Sequence, residues 1–466
     1  MSFSRAPARP CSSTTDRGDF VPDSLFTTDA MRAVFADRTR LSRMLDFEAA
    51  LAQAGAGVGV IPQSAADAIE AHCNVDEFDV TAIGDAAWNA GNLAIPLVAA
   101  LTRNVAAADA QAKGYVHWGA TSQDAIDTGL VLQLRDALAL IDADLERLAR
   151  SLAHQARRHA ATVMAGRTWL AQALPITFGL KLAAIVGALD RHRDRVGHAR
   201  KHDLVLQFGG AAGTLASLHD RGIAVTDALA RRLGLDVPDM PWHTERDRFC
   251  DVASTLGMLT ATLGKLARDL SLLAQTEVAE AFEPSAPGRG GSSTMPQKRN
   301  PVGASIALAA AVRVPGLVAT MLSAAVQEHE RGIGNWPAEW ETLPQIVMLT
   351  AGALGAMREV VDGLDIDCAR MRANLDLTRG QIFAEAVQMA LAPKIGRDTA
   401  HSLVARACRR AAADHADLRD ILLAEPGVSD ILDGTAVDRL FDPAGYLGES
   451  AAYIERALAR YPASAG

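Results

Sequence analysis

Gly288-Arg289-Gly290-Gly291-Ser292-Ser293-Thr294-Met295-Pro296-Gln297-Lys298-Arg299-Asn300-Pro301 is the stretch around which the chain is organised. Gly288, Gly290 and Gly291 leave its backbone free to move, and a run of hydroxyls followed by two cations puts nucleophilic or basic chemistry beside anion-binding charge. Asn300 suits an N-cap and Pro301 the first helical position, so a helix of roughly 25 residues is expected to start here and run toward Gln327, kinked at Pro315-Gly316. Its free N–H groups and positive pole would lie beside Lys298 and Arg299, a ready site for a carboxylate. A flexible Gly/Ser linker between helices is the plainer reading of the same composition.

Outward from this stretch the pattern is helical. Leu130, Leu134, Leu138, Ile141, Leu145 and Leu148 keep helical spacing and predict a helix over about 122–155, with further long candidates near 175–201, 247–277, 302–327 and 341–362. Alternating strand patterns are almost lacking. Long rods with apolar stripes make a bundle, so the expected fold class is all-α. Several rods are apolar or Ala-rich around most of their circumference, as from Ala304 to Val326, which is more than one bundle can bury, and association with further copies is the natural sink. The 466 residues should divide into a helical N-terminal domain over 24–120, a central long-helix bundle over 121–366 with a mobile loop at 285–299, and a helical C-terminal domain over 367–466. Residues 1–23 are rich in Ser, Arg, Thr and Pro, lack the apolar stretch of a secretory signal, and are expected to be disordered.

Composition narrows the partners. A formal charge of −9 offers no basic stripe for nucleic acid, and no run of apolar residues is long enough to predict a membrane span. Small molecules and copies of the chain remain. The five cysteines, Cys11, Cys73, Cys250, Cys368 and Cys408, are scattered without metal-ligand spacing, which reads as reduced thiols in a cytoplasmic protein with no metal and no cofactor. The Gly-rich run Gln207 to Ala216 lacks the Gly-Lys-Ser/Thr ending of a P-loop and is expected to pack helices closely and line an oxyanion turn.

Other polar strings could build a site. In Val116-His117-Trp118-Gly119-Ala120-Thr121-Ser122-Gln123-Asp124, Thr121 stands three residues before Asp124 like a capping box, and the Thr121 and Ser122 hydroxyls would meet the free N–H groups of a helix start. His117 either meets a substrate carboxylate, orients the Thr121 turn, or packs as a structural residue beside Trp118. The order G-S-S-T-M-P-Q-K-R-N-P, together with the Thr121 string and Ala165-Gly166-Arg167-Thr168-Trp169-Leu170-Ala171-Gln172-Ala173-Leu174-Pro175, closely resembles the signature regions of the fumarase/aspartase superfamily, over roughly residues 24 to 460.

That resemblance implies three helical domains, a central bundle that tetramerises, and active sites each assembled from three subunits. It implies Ser292 as the catalytic base, Lys298 and Asn300 on the substrate carboxylate, and Thr121, Ser122, His117, Asn92, Arg38, Trp169, Arg246 and Arg331 as further substrate contacts. One departure matters most. Trp169 stands where fumarases and adenylosuccinate lyases carry a histidine, which in the latter protonates the leaving group. An amine or hydroxide leaves poorly without an acid, worth about 10²- to 10⁴-fold, whereas a carboxylate departs unaided as a stable anion. The expected activity is therefore that of the muconate-cycloisomerase branch, acting on a polycarboxylate. The alternatives are another superfamily lyase with an undemanding leaving group, such as nitrosuccinate lyase; adenylosuccinate lyase, disfavoured by Trp169; and a silent crystallin-like tetramer, disfavoured because Ser292, Lys298 and Asn300 are all present. Glu245 and Pro337 also depart from the pattern, and Glu245 would repel a polycarboxylate unless Arg246 or Arg248 pairs with it.

Overall fold

The computed structural model describes residues 25–285, 288–291 and 294–462. Ser292 and residues 1–23 lie outside them, as do parts of the expected mobile loop. The elements that position the site are α1 (Asp37–Gly57), α2 (Ala94–Ala108), α3 (Ser122–Arg158), β1 (Val163–Thr168), β2 (Ala171–Thr177), α4 (Phe178–His202), α5 (Asp247–Leu273), α6 (Val302–Ala324), α7 (Asn335–Asp362), α8 (Ala384–Ile395) and α9 (Arg397–Asp414).

The five predicted rods are α3 to α7, and the fold is all-α. Helix α3 packs along α4 and α7, α5 touches α4, α6 and α7, and α6 lies against α5 and α7. Ala304, Ala307, Ala310, Val314, Met321 and Ala324 form the inward stripe of α6. Small residues opposite let the rods close: a Cβ on Gly264 would come 2.5 Å from the Ala311 side chain, and one on Gly257 2.9 Å from Val318. One apolar core joins α1 and its neighbours to the bundle, and α8 and α9 enclose a second, built on Val387, Leu391, Leu403, Val404 and Leu418.

Helix α6 keeps a bare outer face, with Val312 79% exposed and Leu322 54% exposed. By length and composition it is the one helix among the described residues able to cross a membrane. It nevertheless packs as a member of the bundle, running unbroken through Pro315.

The hairpin β1–β2 is the main departure from the helical expectation. It is antiparallel with an irregularity between Ala165 and Arg167, and Thr168 faces Ala171 across a two-residue turn of Trp169 and Leu170. Both turn residues are left-handed, at φ 52° and 67°, the backbone that tight hairpin turns require and that glycine or asparagine normally supplies. Irregular burial along β1 explains why no alternation announced it.

Candidate active site

The start of α3 is organised by a buried carboxylate. Asp124 accepts the Thr121 N–H at 3.0 Å, as the capping-box spacing implies, and also accepts the Gly209 N–H at 3.0 Å, the Gly210 N–H at 2.9 Å and His243 Nε2 at 2.8 Å. The Gly209 and Gly210 amides, expected to line an oxyanion turn, are therefore committed to Asp124. Thr121 is the N-cap and Ser122 the first helical residue, so both hydroxyls stand at a helix start, as the capping-box spacing implies.

One turn on, Asp127 anchors an ionic cluster. It accepts from Arg246 NH1 at 2.6 Å and Trp336 Nε1 at 3.0 Å, while Arg246 NH2 donates to Glu339 at 2.6 Å and Arg246 Nε to both Glu339 oxygens. Arg246 is 2% exposed. Its expected place on the substrate is thus corrected: every face of the guanidinium is occupied, by Asp127, Glu339 and the Trp242 carbonyl, and it ties α3, α5 and α7 together. Burial opposes its charge, and the two carboxylates outweigh that and raise its pKa further. Glu339 goes the other way, burial holding its carboxyl above the usual range despite Arg246.

Arg331 is engaged at one nitrogen and open at another. Its Nε donates to Gln123 at 3.1 Å, and its NH2 is buried without a partner among the described residues, at the start of α3. His117, in the turn before that helix, places Nδ1 2.6 Å from Glu48 Oε1. Asn92 uses its side-chain oxygen to accept the Ala94 and Ile95 N–H groups and so starts α2. Arg38 pairs with Asp76 on an exposed face of α1. Glu245 is exposed, and neither Arg246 nor Arg248 compensates it; Arg248 lies near Asp239, and the Thr244 hydroxyl donates to Glu245.

The signature loop returns on itself. The Asn300 N–H donates to the Gly290 carbonyl at 2.9 Å, and Gly290 sits at φ +65°, where a Cβ would meet the Asn300 carbonyl oxygen at 2.6 Å. The helix begins at Val302, behind Pro301, slightly later than expected. The Gly303 and Ala304 N–H groups donate to the Glu283 carboxylate at 2.9 and 2.7 Å, so the chain supplies its own anion where a substrate carboxylate was expected. Arg299 is likewise used internally, on Asp365 and the Glu283 carbonyl. Lys298 has no side-chain partner among the described residues and lines a cleft of about 200 Å³ with Glu283, Arg289 and Asn300.

These groups occupy opposite ends of one bundle. Asp127 touches Trp336 at the start of α7, whereas Ser151 bonds Asp362 at its end, beside the start of α6. From Asp127 to Ser151 along α3 is about 36 Å at 1.5 Å per residue. Thr121, Ser122, His117 and Arg331 therefore gather at one end and Lys298 and Asn300 at the other. Trp169, at the tip of the hairpin, is fully exposed, at 101% of its reference area. No group of three or more His, Cys, Asp or Glu side chains among the described residues is placed to hold a metal.

The family described as "Lyase" matches residues 25–316, more than half of the chain. The chain belongs to it. It is an enzyme of the fumarate lyase superfamily, and a second match, to the family described as "Adenylosuccinate lyase C-terminus", covers residues 380–457 of this lyase. A 3-carboxy-cis,cis-muconate cycloisomerase of Pseudomonas aeruginosa is 56% identical over 95% of this chain and 96% of its own. The crystal structure of the 3-carboxy-cis,cis-muconate lactonizing enzyme from Pseudomonas putida superimposes with TM-score 0.89 at 53% identity, covering 94% of this chain and 98% of that one. A nitrosuccinate lyase of Streptomyces davaonensis is 41% identical over 92% of each chain.

Glu48, Asp127 and Glu339, none of them among the expected site residues, are the buried carboxylates that hold His117 and Arg246. A signal existed: Asp124 and Asp127, three apart, face one side of a helix otherwise lined by apolar residues, and buried carboxylates require partners.

Proposed function

We propose that this lyase is a cycloisomerase that closes 3-carboxy-cis,cis-muconate to 4-carboxymuconolactone. The observation that carries the reading is the near-complete, 56% identical match to a protein of that name. Trp169 in place of a protonating histidine supports it chemically, because a carboxylate nucleophile or leaving group needs no acid.

In the lactonising direction an internal carboxylate oxygen attacks the double bond. The C–O bond forms as the π electrons move onto the neighbouring carboxylate, giving an aci-carboxylate, and Ser292 then delivers a proton to carbon. In reverse, Ser292 as alkoxide takes that proton. Thr121, Ser122, Arg331 and His117 hold substrate carboxylates at one end of a bundle, and Lys298 and Asn300 stabilise negative charge at the end of another. A hydroxyl is a weak base, so Lys298 and loop closure lower the cost of the alkoxide.

The separation of these groups along α3 supports a site that different copies complete together. The bare face of α6, with Val312 exposed, and the strained, exposed tip at Trp169 supply surfaces for that association, and a homotetramer with sites shared by three subunits satisfies both. The free thiols of Cys73, Cys250, Cys368 and Cys408 fit a reducing cytoplasm.

Ultraviolet assay of purified protein tests the substrate. Loss of the conjugated diene absorbance of carboxymuconate is expected; nitrite release from nitrosuccinate with no diene loss would replace the reading by the nitrosuccinate lyase one, which the 41% identical relative makes the second choice.

A further inference from the structure

We propose that Glu48 is a positioning residue that holds His117 as an imidazolium, so that the site grips a substrate carboxylate through a charged Nε2–H; this rests on the carboxylate-binding role given to His117 above. Glu48 is 1% exposed on α1, its Oε1 lies 2.6 Å from His117 Nδ1, and its Oε2 is buried without a partner. A carboxylate so enclosed is tolerated as an anion when its one partner carries the opposite charge.

The hydrogen-bond direction fixes the rest. A neutral imidazole donating Nδ1–H to Glu48 presents a lone pair at Nε2, and a lone pair repels a carboxylate. Only the doubly protonated ring donates to Glu48 and to the substrate at once. His117 keeps 17% of its side chain exposed, and its Nε2 has no partner among the described residues, which leaves that nitrogen for such a ligand.

The backbone holds the ring there against local preference. His117 lies at φ +58°, a left-handed conformation uncommon for a residue with a side chain, and Gly119 follows at φ +81° where a Cβ would come 2.7 Å from Leu218. Two carboxylates face the imidazole, Glu48 from α1 and Asp124 from α3. Burial works against its charge; Glu48, by charge and hydrogen bond, with Asp124 adding, outweighs it and holds the ring above its ordinary value. Cys73, close enough to feel the charge of Glu48, is kept a neutral thiol by burial and by Glu48 itself, so it adds no second anion beside the carboxylate.

Glu48→Gln is the deciding variant, since it keeps an acceptor for Nδ1–H and removes only the charge. It should raise KM for carboxymuconate about tenfold or more with kcat within about threefold, and move the basic limb of the kcat/KM profile down by about one pH unit or more, with Glu48→Asp restoring both. Selective ¹⁵N labelling of histidine in the substrate-free protein should show His117 doubly protonated at pH 7 and neutral in Glu48→Gln. A folded Glu48→Gln protein with the wild-type profile overturns the proposal, as does a neutral His117 ring in the wild type at pH 7. If Glu48→Gln does not fold, the wild-type nitrogen signal decides alone. If the wild type fails to turn over carboxymuconate, the cycloisomerase reading falls, and the nitrogen signal still decides the charge of His117.

Discussion

Replacing Arg246 with methionine separates a fold-holding role from a substrate-binding one. The side chain would fill similar space while removing the bonds of 2.6 Å to Asp127 and 2.6 Å to Glu339. Asp127 would retain Gln123 and Trp336, and Glu339 would retain Gln327, but both would face each other without a counter-charge. Removing one partner of a buried pair costs about 3–5 kcal/mol, and two orphaned carboxylates place this variant near the top of that range. The sign of the pH effect follows from Glu339. Burial already raises its pKa in the folded protein, so the folded state binds more protons than the unfolded one, and stability falls as pH rises from the ordinary carboxyl value through the raised one. Without Arg246 that rise is larger, and the deficit should grow by about 1.4 kcal/mol per pH unit across the window. Urea unfolding followed by circular dichroism at pH 5.5 and pH 8.0 reads this directly, with the larger loss expected at the higher pH. A variant within about 1 kcal/mol of wild type at both pH values, altered only in KM, would refute the reasoning and return Arg246 to the substrate.

Arg331→Ala should raise KM about 10- to 100-fold with little loss of stability, because its NH2 has no partner among the described residues; Michaelis kinetics and a melting curve check both halves. Gly290→Ala forces a Cβ to 2.6 Å from the Asn300 carbonyl and should lower kcat with an unchanged melting temperature, as expected of a change confined to the loop, in stopped-flow assays and calorimetry. Trp169→Ala should leave the stability of an isolated chain unaltered, given its full exposure, yet raise KM and weaken the proposed association of copies in light scattering; unchanged values of both would remove the tip from the site. Glu283→Gln should cost about 1 kcal/mol through the start of α6, read by urea unfolding.

The rods were legible because each buries a stripe at helical spacing over many turns, as Leu130 to Leu148 does in α3. Thr121 and Asp124 were legible for a local reason, a spacing of three at a helix start. Arg246 was not, since nothing in Pro241 to Arg248 distinguishes an arginine aimed at substrate from one enclosed by carboxylates that lie more than 90 positions away along the chain. The same limit hid Glu283, whose carboxylate occupies the helix start that Lys298 and Arg299 appeared to reserve for a ligand. Sequence order also conceals that Ser122 and Lys298 stand at opposite ends of a rod, a fact of three-dimensional packing on which the proposal of a site shared between copies rests.

The most direct measurement is the rate of diene loss from 3-carboxy-cis,cis-muconate with wild-type protein and with Ser292→Ala, at matched protein concentration. Turnover by the wild type with a fall of about 10²- to 10⁴-fold in the variant is the predicted result. Equal rates for the two proteins would contradict it.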